Sequence, residues 1–532
     1  MASKLDTNRF GSEVGLNLLF LLGVFGLLFL VVPLGYLIVQ GALQPTSFSV
    51  FSDPYYWHVF EFTYVQGLLS AVLSGMVGCL GAVLYSELRF PGRRFLWNAS
   101  LVCFSLPTIL VALAFSSTWG RAGWVSDVFS LFGISWTQMS RGWFPILAAH
   151  TFFNFPLFLR GVGGALVELD RTEERAALSL GASRWYCFFT LTLRKIAPEL
   201  RSAFFLAFLY CSSSFLVVLL LGGGPKFTTL EVAIYQAVKI DFNLGIAARL
   251  AVFQLAAAFL IYAITVRNPK VSRRWSSQFF SLYCFHKSKL NHLALVIFSL
   301  LIVVLVGFPL ATLLVDGAAS LALPWDLWWE VSLTSLQLAC LTCLISVGMG
   351  VLLAYLYHHL SGKKQRCVEY LANLPLAVST LVLTLGWILL FPELRWEWRG
   401  RLLPVAVVQS MVVLPLVYRL IRDGFSRIPP ELLRSAASLG ASRRIRFLRI
   451  ELPLLRRSLC LGGLMAVAFS FGDVGAVILF LTEDLMTWPL WIFRLMAKYE
   501  FDAAAGAGLY LTLWMVLILG LMGRLEEKER HA

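Results

Sequence analysis

Apolar residues along this chain fall into long runs separated by short polar segments, many of them basic. A helix that crosses a bilayer needs about 20 such residues. The pattern predicts twelve spans, at 14–39, 62–85, 99–118, 144–159, 203–221 and 250–266 in the first half of the chain. The second half contributes 293–315, 331–357, 371–391, 403–418, 460–481 and 503–522. The fourth and tenth are short and contain Pro156 and Pro415. The first run is too long for a signal-peptide core and has no small-residue cleavage site, so it reads as a retained span.

Composition agrees with lipid as the solvent. Of 532 residues, 58% are apolar and 14% charged, against about 25% charged in soluble domains. The net charge of +14 could suggest nucleic acid, but its placement makes it topological. With the N-terminus inside, most Lys and Arg lie in cytoplasmic segments, as the positive-inside rule requires. Twelve spans then return Arg524, Lys528 and Arg530 to the cytoplasm. The expected fold is an all-α polytopic membrane protein with about twelve transmembrane helices in two six-helix parallel repeats. The first half covers 1–266, with a cytoplasmic loop at 170–198. A basic linker covers 267–291, and the second half covers 292–532, with its loop at 423–456.

The two loops repeat each other. One reads Glu173-Glu-Arg-Ala-Ala-Leu-Ser-Leu-Gly-Ala-Ser-Arg-Trp-Tyr-Cys-Phe188. The other reads Leu432-Leu-Arg-Ser-Ala-Ala-Ser-Leu-Gly-Ala-Ser-Arg-Arg-Ile-Arg-Phe447. In one register Arg175 falls on Arg434, Ala177 on Ala436, Leu180–Arg184 on Leu439–Arg443, and Pro156 on Pro415. A duplication explains such agreement. Ala176, Ala177, Leu178 and Leu180 favour a short helix, Gly181 allows a turn that a side chain would hinder, and Ser183 can cap the next helix. The result is a helix–turn–helix elbow beneath the membrane. The alternative is a basic loop lying on anionic lipid, which would not require one Gly-Ala-Ser-Arg register twice.

These loops resemble the "EAA" loop of bacterial ABC importer permeases, E-A-A-x-x-L-G-A-S followed by an apolar position and L-P. In that family the loop is a coupling helix seated in a cleft of the cytoplasmic ATPase. The resemblance implies ATPase-coupling roles for Ala176, Ala177, Leu180, Gly181, Ala182 and Ser183, and for Ala436, Leu439, Gly440, Ala441 and Ser442. Arg175 and Arg434 stand where the family has glutamate, with Glu174 one residue early. Only the second loop keeps the L-P, as Leu452-Pro453. Fused two-half permeases occur in the iron(III)/thiamine branch. The stretches Asp53-Pro-Tyr-Tyr-Trp-His-Val-Phe60, Gly120-Arg-Ala-Gly-Trp124, Leu221-Gly-Gly-Gly-Pro-Lys-Phe-Thr-Thr-Leu-Glu-Val-Ala-Ile-Tyr-Gln236 and Phe471-Gly-Asp-Val-Gly-Ala476 look most like the proteobacterial thiamine permeases.

An ionisable residue inside a span is a functional candidate. Asp473, flanked by Gly472 and Gly475, is the clearest, and the repeat sets Ser214 opposite it. A carboxylate with Phe471 and Phe215 nearby would suit an aromatic cation. The alternative is an aspartate that packs helices, bonded to a neighbouring serine or backbone. Asn154, Pro156 and Pro415 are candidates to line the path or simply to kink helices. Gly223, Gly224, Thr229 and Tyr235, with Trp488 and Trp491 in the second half, could contact a periplasmic binding protein or form a plain turn. The Gly-rich run lacks the Lys-Ser/Thr of a phosphate loop. Nine cysteines show no disulfide spacing. Cys340 and Cys343 read as small hydrophobes of a helix rather than a redox or metal pair. No metal-ligand spacing and no catalytic constellation are evident.

The resemblance implies an inner-membrane permease subunit, not an enzyme, one chain per complex. It would work with two copies of a cytoplasmic ABC ATPase and a periplasmic substrate-binding protein. The chain needs no cofactor; ATP and Mg belong to the ATPase. The expected cargo is thiamine or its phosphate esters. The alternatives are a ferric iron permease of the same fused type and a 6+6 secondary transporter.

Overall fold

The computed structural model describes residues 23, 26, 28–42, 52–88, 90–121, 123–133, 140–266, 289–320, 325–394, 401–480 and 485–530. The linker expected at 267–291 lies almost wholly outside them. Among the described residues the chain is helical throughout, without a strand. Seven helices are long and apolar enough to cross a membrane, or ten if each bent pair is one span. The described residues of the twelve stretches expected to span are mostly helical, with breaks at 106–107, 213–215, 378–379 and 473–474, and the first is described mainly in its latter part, as Leu28–Ala42.

Local chemistry sets the helix ends. Asp53 caps the Pro54–Glu87 helix, its Oδ1 accepting from Tyr55 N at 2.8 Å, and Pro54 opens the first turn. The third span bends by 105° between Arg93–Ser105 and the helix that begins at Thr108. Pro107 holds Leu106 in an extended conformation there. The ninth bends by 95° at the matching place, where Ser379 Oγ accepts from Val382 N at 3.1 Å. The fourth and tenth spans are longer than their patterns predict. Trp143–Glu168 and Leu402–Phe425 run unbroken through Pro156 and Pro415.

Packing depends on small residues at close crossings, as expected of helices in lipid. A Cβ on Gly78 would lie 2.5 Å from Phe155 O and 2.5 Å from Phe158 Cβ. Its repeat equivalent, Gly350, sits against Ile421 and Val417.

The chain forms two compact units, and they do not follow the order of the sequence. One comprises Met1–Ser47, Ala237–Leu255 and Leu321–Ala532; the other comprises Phe48–Gln236 and Ala256–Ser320. In the former, the first helix lies with second-half residues: Tyr36 Oη donates to Glu393 Oε1 at 3.0 Å, and Gly386 backs onto Pro33. In the latter, the seventh span lies with first-half residues. The hydroxyls of Thr118 and Thr312 are 2.7 Å apart, and Trp124 Nε1 donates to Asp316 Oδ1 at 3.1 Å. Each half has thus exchanged its leading helix.

Candidate functional site

The two elbows are built alike, atom for atom. The Thr172–Ser179 helix ends at Leu180, and Gly181 takes φ +89°. Gly181 N donates to Leu178 O at 3.1 Å and Ala182 N to Ala177 O at 3.0 Å. That paired closure is the Schellman motif, which asks for glycine at the left-handed position. In the second copy Pro430–Ser438 ends at Leu439, Gly440 takes φ +84°, and the same two bonds form from Gly440 N and Ala441 N, each 3.0 Å. Ser183 Oγ accepts from Tyr186 N at 3.2 Å and Ser442 Oγ from Ile445 N at 3.4 Å, starting the next helix. Five-residue π segments follow in both, Phe188–Thr192 and Phe447–Glu451, before Leu193–Ser212 and Leu452–Gly472.

Leu180 and Leu439 stand at the crests of these elbows, each 88% exposed. Gly181, Gly440, Ser183 and Ser442 are also exposed, as are Arg175, Ala176 and Arg434. Glu174, Ala177, Ala182, Ala436 and Ala441 are half-buried on the inner side. The helix leading into the first elbow is started by Asp170, whose carboxylate accepts from Thr172 Oγ1 at 2.6 Å and Thr172 N at 2.9 Å. Those two bonds hold its carboxyl below the ordinary range.

At the far end of Leu452–Gly472 the helix breaks. Asp473 is extended (φ −82°, ψ 125°), and the chain turns helical again at Gly475–Phe480. Asp473 Oδ2 accepts from Gln409 Nε2 at 3.1 Å and from Ala476 N at 3.2 Å, so the carboxylate caps the second piece. Gln409 Oε1 accepts in turn from Ser470 Oγ at 2.7 Å and Thr342 Oγ1 at 3.0 Å. The first half breaks at the same repeat position, between Leu193–Ser212 and Leu216–Leu221. His150 stands there in place of Gln409, its Nδ1 3.0 Å from Ser70 Oγ. Asn154 Nδ2 donates to His150 O at 2.8 Å and to Cys211 Sγ at 3.3 Å. Gln66 Nε2 donates to Cys211 O at 2.8 Å.

Of the residues expected to line a path, Asp473 and Asn154 therefore each join a buried polar cluster. Ser214 sits at the first break, half-buried, its carbonyl accepting from Thr229 Oγ1 at 3.5 Å. Phe215 packs on Tyr235 and Phe471 on Trp514, with ring centroids 5.2 and 5.7 Å apart. Pro156 and Pro415 are buried within continuous helices. Gln409, Thr342, His150 and Ser70 are additions; the repeat register pairs His150 with Gln409, whereas Ser70 and Thr342 are matched only by their places in the Pro54–Glu87 and Trp325–His359 helices.

Gly223 and Gly224 are exposed with positive φ, at the end of the broken helix opposite the first elbow. Thr229 is buried instead, just before the short helix Leu230–Lys239, and Trp488 and Trp491 are buried within the short helix Trp488–Ala497. Leu230 N donates to Thr63 Oγ1 at 2.9 Å and Trp488 N to Ser335 Oγ at 3.0 Å, one arrangement in both halves. Cys340 and Cys343 are free thiols in the Trp325–His359 helix.

Comparison with known proteins agrees with this duplicated build. Residues 74–273 and 346–531 each match the family described as "Binding-protein-dependent transport system inner membrane component". The chain belongs to that family. Each matched stretch contains one elbow and one broken helix. This permease is 28% identical to the thiamine transport system permease protein ThiP of Salmonella typhimurium over 498 residues, 91% of each chain. It is 30% identical to ThiP of Haemophilus influenzae over 481 residues, 88% of each. A solved bacterial ABC transporter involved in the import of the acidic polysaccharide alginate covers 51% of this chain and 100% of its own, at 16% identity and TM-score 0.42. By its family, the permease is a multi-pass inner-membrane component of a binding-protein-dependent transport system.

Proposed function

We propose that this permease moves thiamine, and its phosphate esters, from a periplasmic binding protein to the cytoplasm, driven by two copies of a separate ABC ATPase. The observation that carries the docking part is the pair of matched elbows, each with a leucine standing in water. Covering a leucine is worth about 1.5–3 kcal/mol, and the Gly-closed turn leaves room for a partner to do so. Arg175 and Arg434, in the place of the family's glutamate, make the rim of both docking faces basic. The elbows and both termini are cytoplasmic in this reading, and one chain supplies both docking faces.

The thiamine assignment rests on similarity to the ThiP proteins along about nine-tenths of the chain. The Asp473 carboxylate, on a broken helix, fits a cationic cargo. Two ATPases closing on ATP would rock the halves between inward-open and outward-open states.

The test is the double substitution Gly181→Pro with Gly440→Pro, which no positive φ can accommodate. Co-purification with the ATPase and ATP-dependent uptake should both be lost. If both survive, the docking reading is wrong. Stimulation of ATPase activity in the assembled complex by thiamine, its phosphates or ferric iron decides the cargo.

A further inference from the structure

Glu87 and His359 share one repeat position, the last turn of the Pro54–Glu87 and Trp325–His359 helices. Each reaches the cytoplasmic segment of its own half, but the chemistry differs. Glu87 Oε1 accepts from Arg171 Nη2 at 2.6 Å, with both side chains 14% exposed. Arg171 is the residue on which the first elbow's Thr172–Ser179 helix begins. This is a direct carboxylate–guanidinium hydrogen bond with no imidazole in it.

His359 meets a different partner. Its Nδ1 lies 2.9 Å from the Tyr355 carbonyl oxygen, which can only accept, so Nδ1 carries a hydrogen. Its Nε2 faces Glu451 Oε1 at 3.7 Å. In a neutral ring that nitrogen presents a lone pair to the carboxylate, so the attraction exists only while the imidazole is protonated. Glu451 is 3% exposed, closes the π segment Phe447–Glu451, and its Oε2 has no hydrogen-bond partner.

We propose that positions 87 and 359 fasten each coupling segment to the span before it, permanently through Arg171–Glu87 and reversibly, by one proton, through His359–Glu451. The two ATPase docking faces are then unequal: the second loosens from its span as pH rises and the first does not. The functional part of this inference rests on the docking reading above; the structural part does not.

The other groups around the pair are accounted for. Tyr355 stacks on the His359 ring at 4.1 Å. His358 donates from Nε2 to the Arg422 carbonyl at 3.1 Å, with Arg422 and Asp423 facing it from the neighbouring helix. Arg443 and Arg446 of the short elbow helix act on both His359 and Glu451. Burial raises the Glu451 carboxyl, and His358 is the other imidazole beside the pair, itself held below its ordinary range by burial. His358→Gln is therefore the control.

Hydrogen exchange of the purified permease in detergent, corrected for intrinsic rates, tests this without the ATPase. Burial holds the His359 imidazole below its ordinary range, so protection of residues 443–452 should fall as pH rises from well below the ordinary imidazole value of about 6.5 to above it, while that of 173–192 holds. His359→Gln, whose amide can donate to Glu451 at any pH, should remove the difference, and His358→Gln should keep it. Protection that does not change with pH in the native protein, or a His359→Gln variant that follows it, overturns the second-half assignment. For the first half, Glu87→Ala should lower ATP-dependent uptake several-fold with ATPase still co-purifying. The swap Glu87→Arg with Arg171→Glu should restore it. A swap that folds as a monodisperse protein yet transports no better than the single variants overturns the first-half assignment.

Discussion

Gln409 holds Asp473 by one end of its amide and Ser470 by the other: Nε2 donates to the carboxylate at 3.1 Å, and Oε1 accepts from the serine at 2.7 Å. The amide thus joins the two sides of the break in the eleventh span. Gln409→Leu takes one donor from the half-buried Asp473 carboxylate and the acceptor from the buried Ser470 and Thr342 hydroxyls, at a cost of about 1–3 kcal/mol. Asp473→Ala removes both that carboxylate and the cap on Ala476, and should cost at least as much. Thermal unfolding of the purified permease measures both. Asp473→Asn, which keeps an acceptor and loses the charge, should retain most stability and lose uptake if the charge attracts cargo.

Leu180 and Leu439 touch little of their own chain, so truncating them should leave the permease stable and weaken its complex. Each Leu→Ala change removes most of about 1.5–3 kcal/mol of covered apolar surface. A titration of ATPase against permease in nanodiscs should show about tenfold weaker binding for either one. Unchanged affinity for both would mean the crests are not covered.

Gly78 and Gly161 form a matched pair of controls for helix crossing. Gly78→Ala drives a methyl group onto Phe155 O and Phe158 Cβ, both 2.5 Å away. It should destabilise the protein by about 1–3 kcal/mol through overpacking. Gly161→Ala meets nothing within 4 Å and lies within the Trp143–Glu168 helix. It should be neutral or slightly stabilising, since alanine is the better helix former.

Asp170 sets a pH limit on the start of the first elbow helix. Its carboxyl lies below the ordinary value because Thr172 donates to it from the side chain and the backbone. A lowered folded value means its contribution is present above the ordinary value, about 3.9, and is lost as pH falls through the lowered one. Exchange protection of Thr172–Ser179 should therefore drop on acidification below the ordinary carboxylate range in the native protein. It should drop less in Asp170→Asn, whose amide oxygen accepts without titrating.

Much of this was legible from residue order alone. The twelve runs, the duplication, the Gly elbow and the Ser183 cap rest on local chemistry: chain length in lipid, a positive φ, a side-chain oxygen near a free N–H. What was not legible is tertiary. Pro156 and Pro415 fall in spans that looked short, yet both helices run on through the proline. Trp488 and Trp491 looked like residues of an outer contact or a turn, and are buried, with Ser335 and Ser332 accepting from the two Trp488 N–H groups. Asp473 stood out by charge, whereas the uncharged Gln409 that holds it gave no local sign. His150 gives no local sign either; the repeat register, which sets it on Gln409, is what marks it.

The exchange of leading helices bears on how the protein is made. The helix Leu28–Ala42 emerges early, but Gly386 and Glu393, on which it rests, are synthesised some hundreds of residues later. At roughly 5–20 residues per second, it waits in the membrane for tens of seconds without its final neighbours. Severing the gene at the linker would not yield two self-sufficient proteins, because each product would carry the other's first helix. Such fragments should reach a native form only when both are made in the same cell.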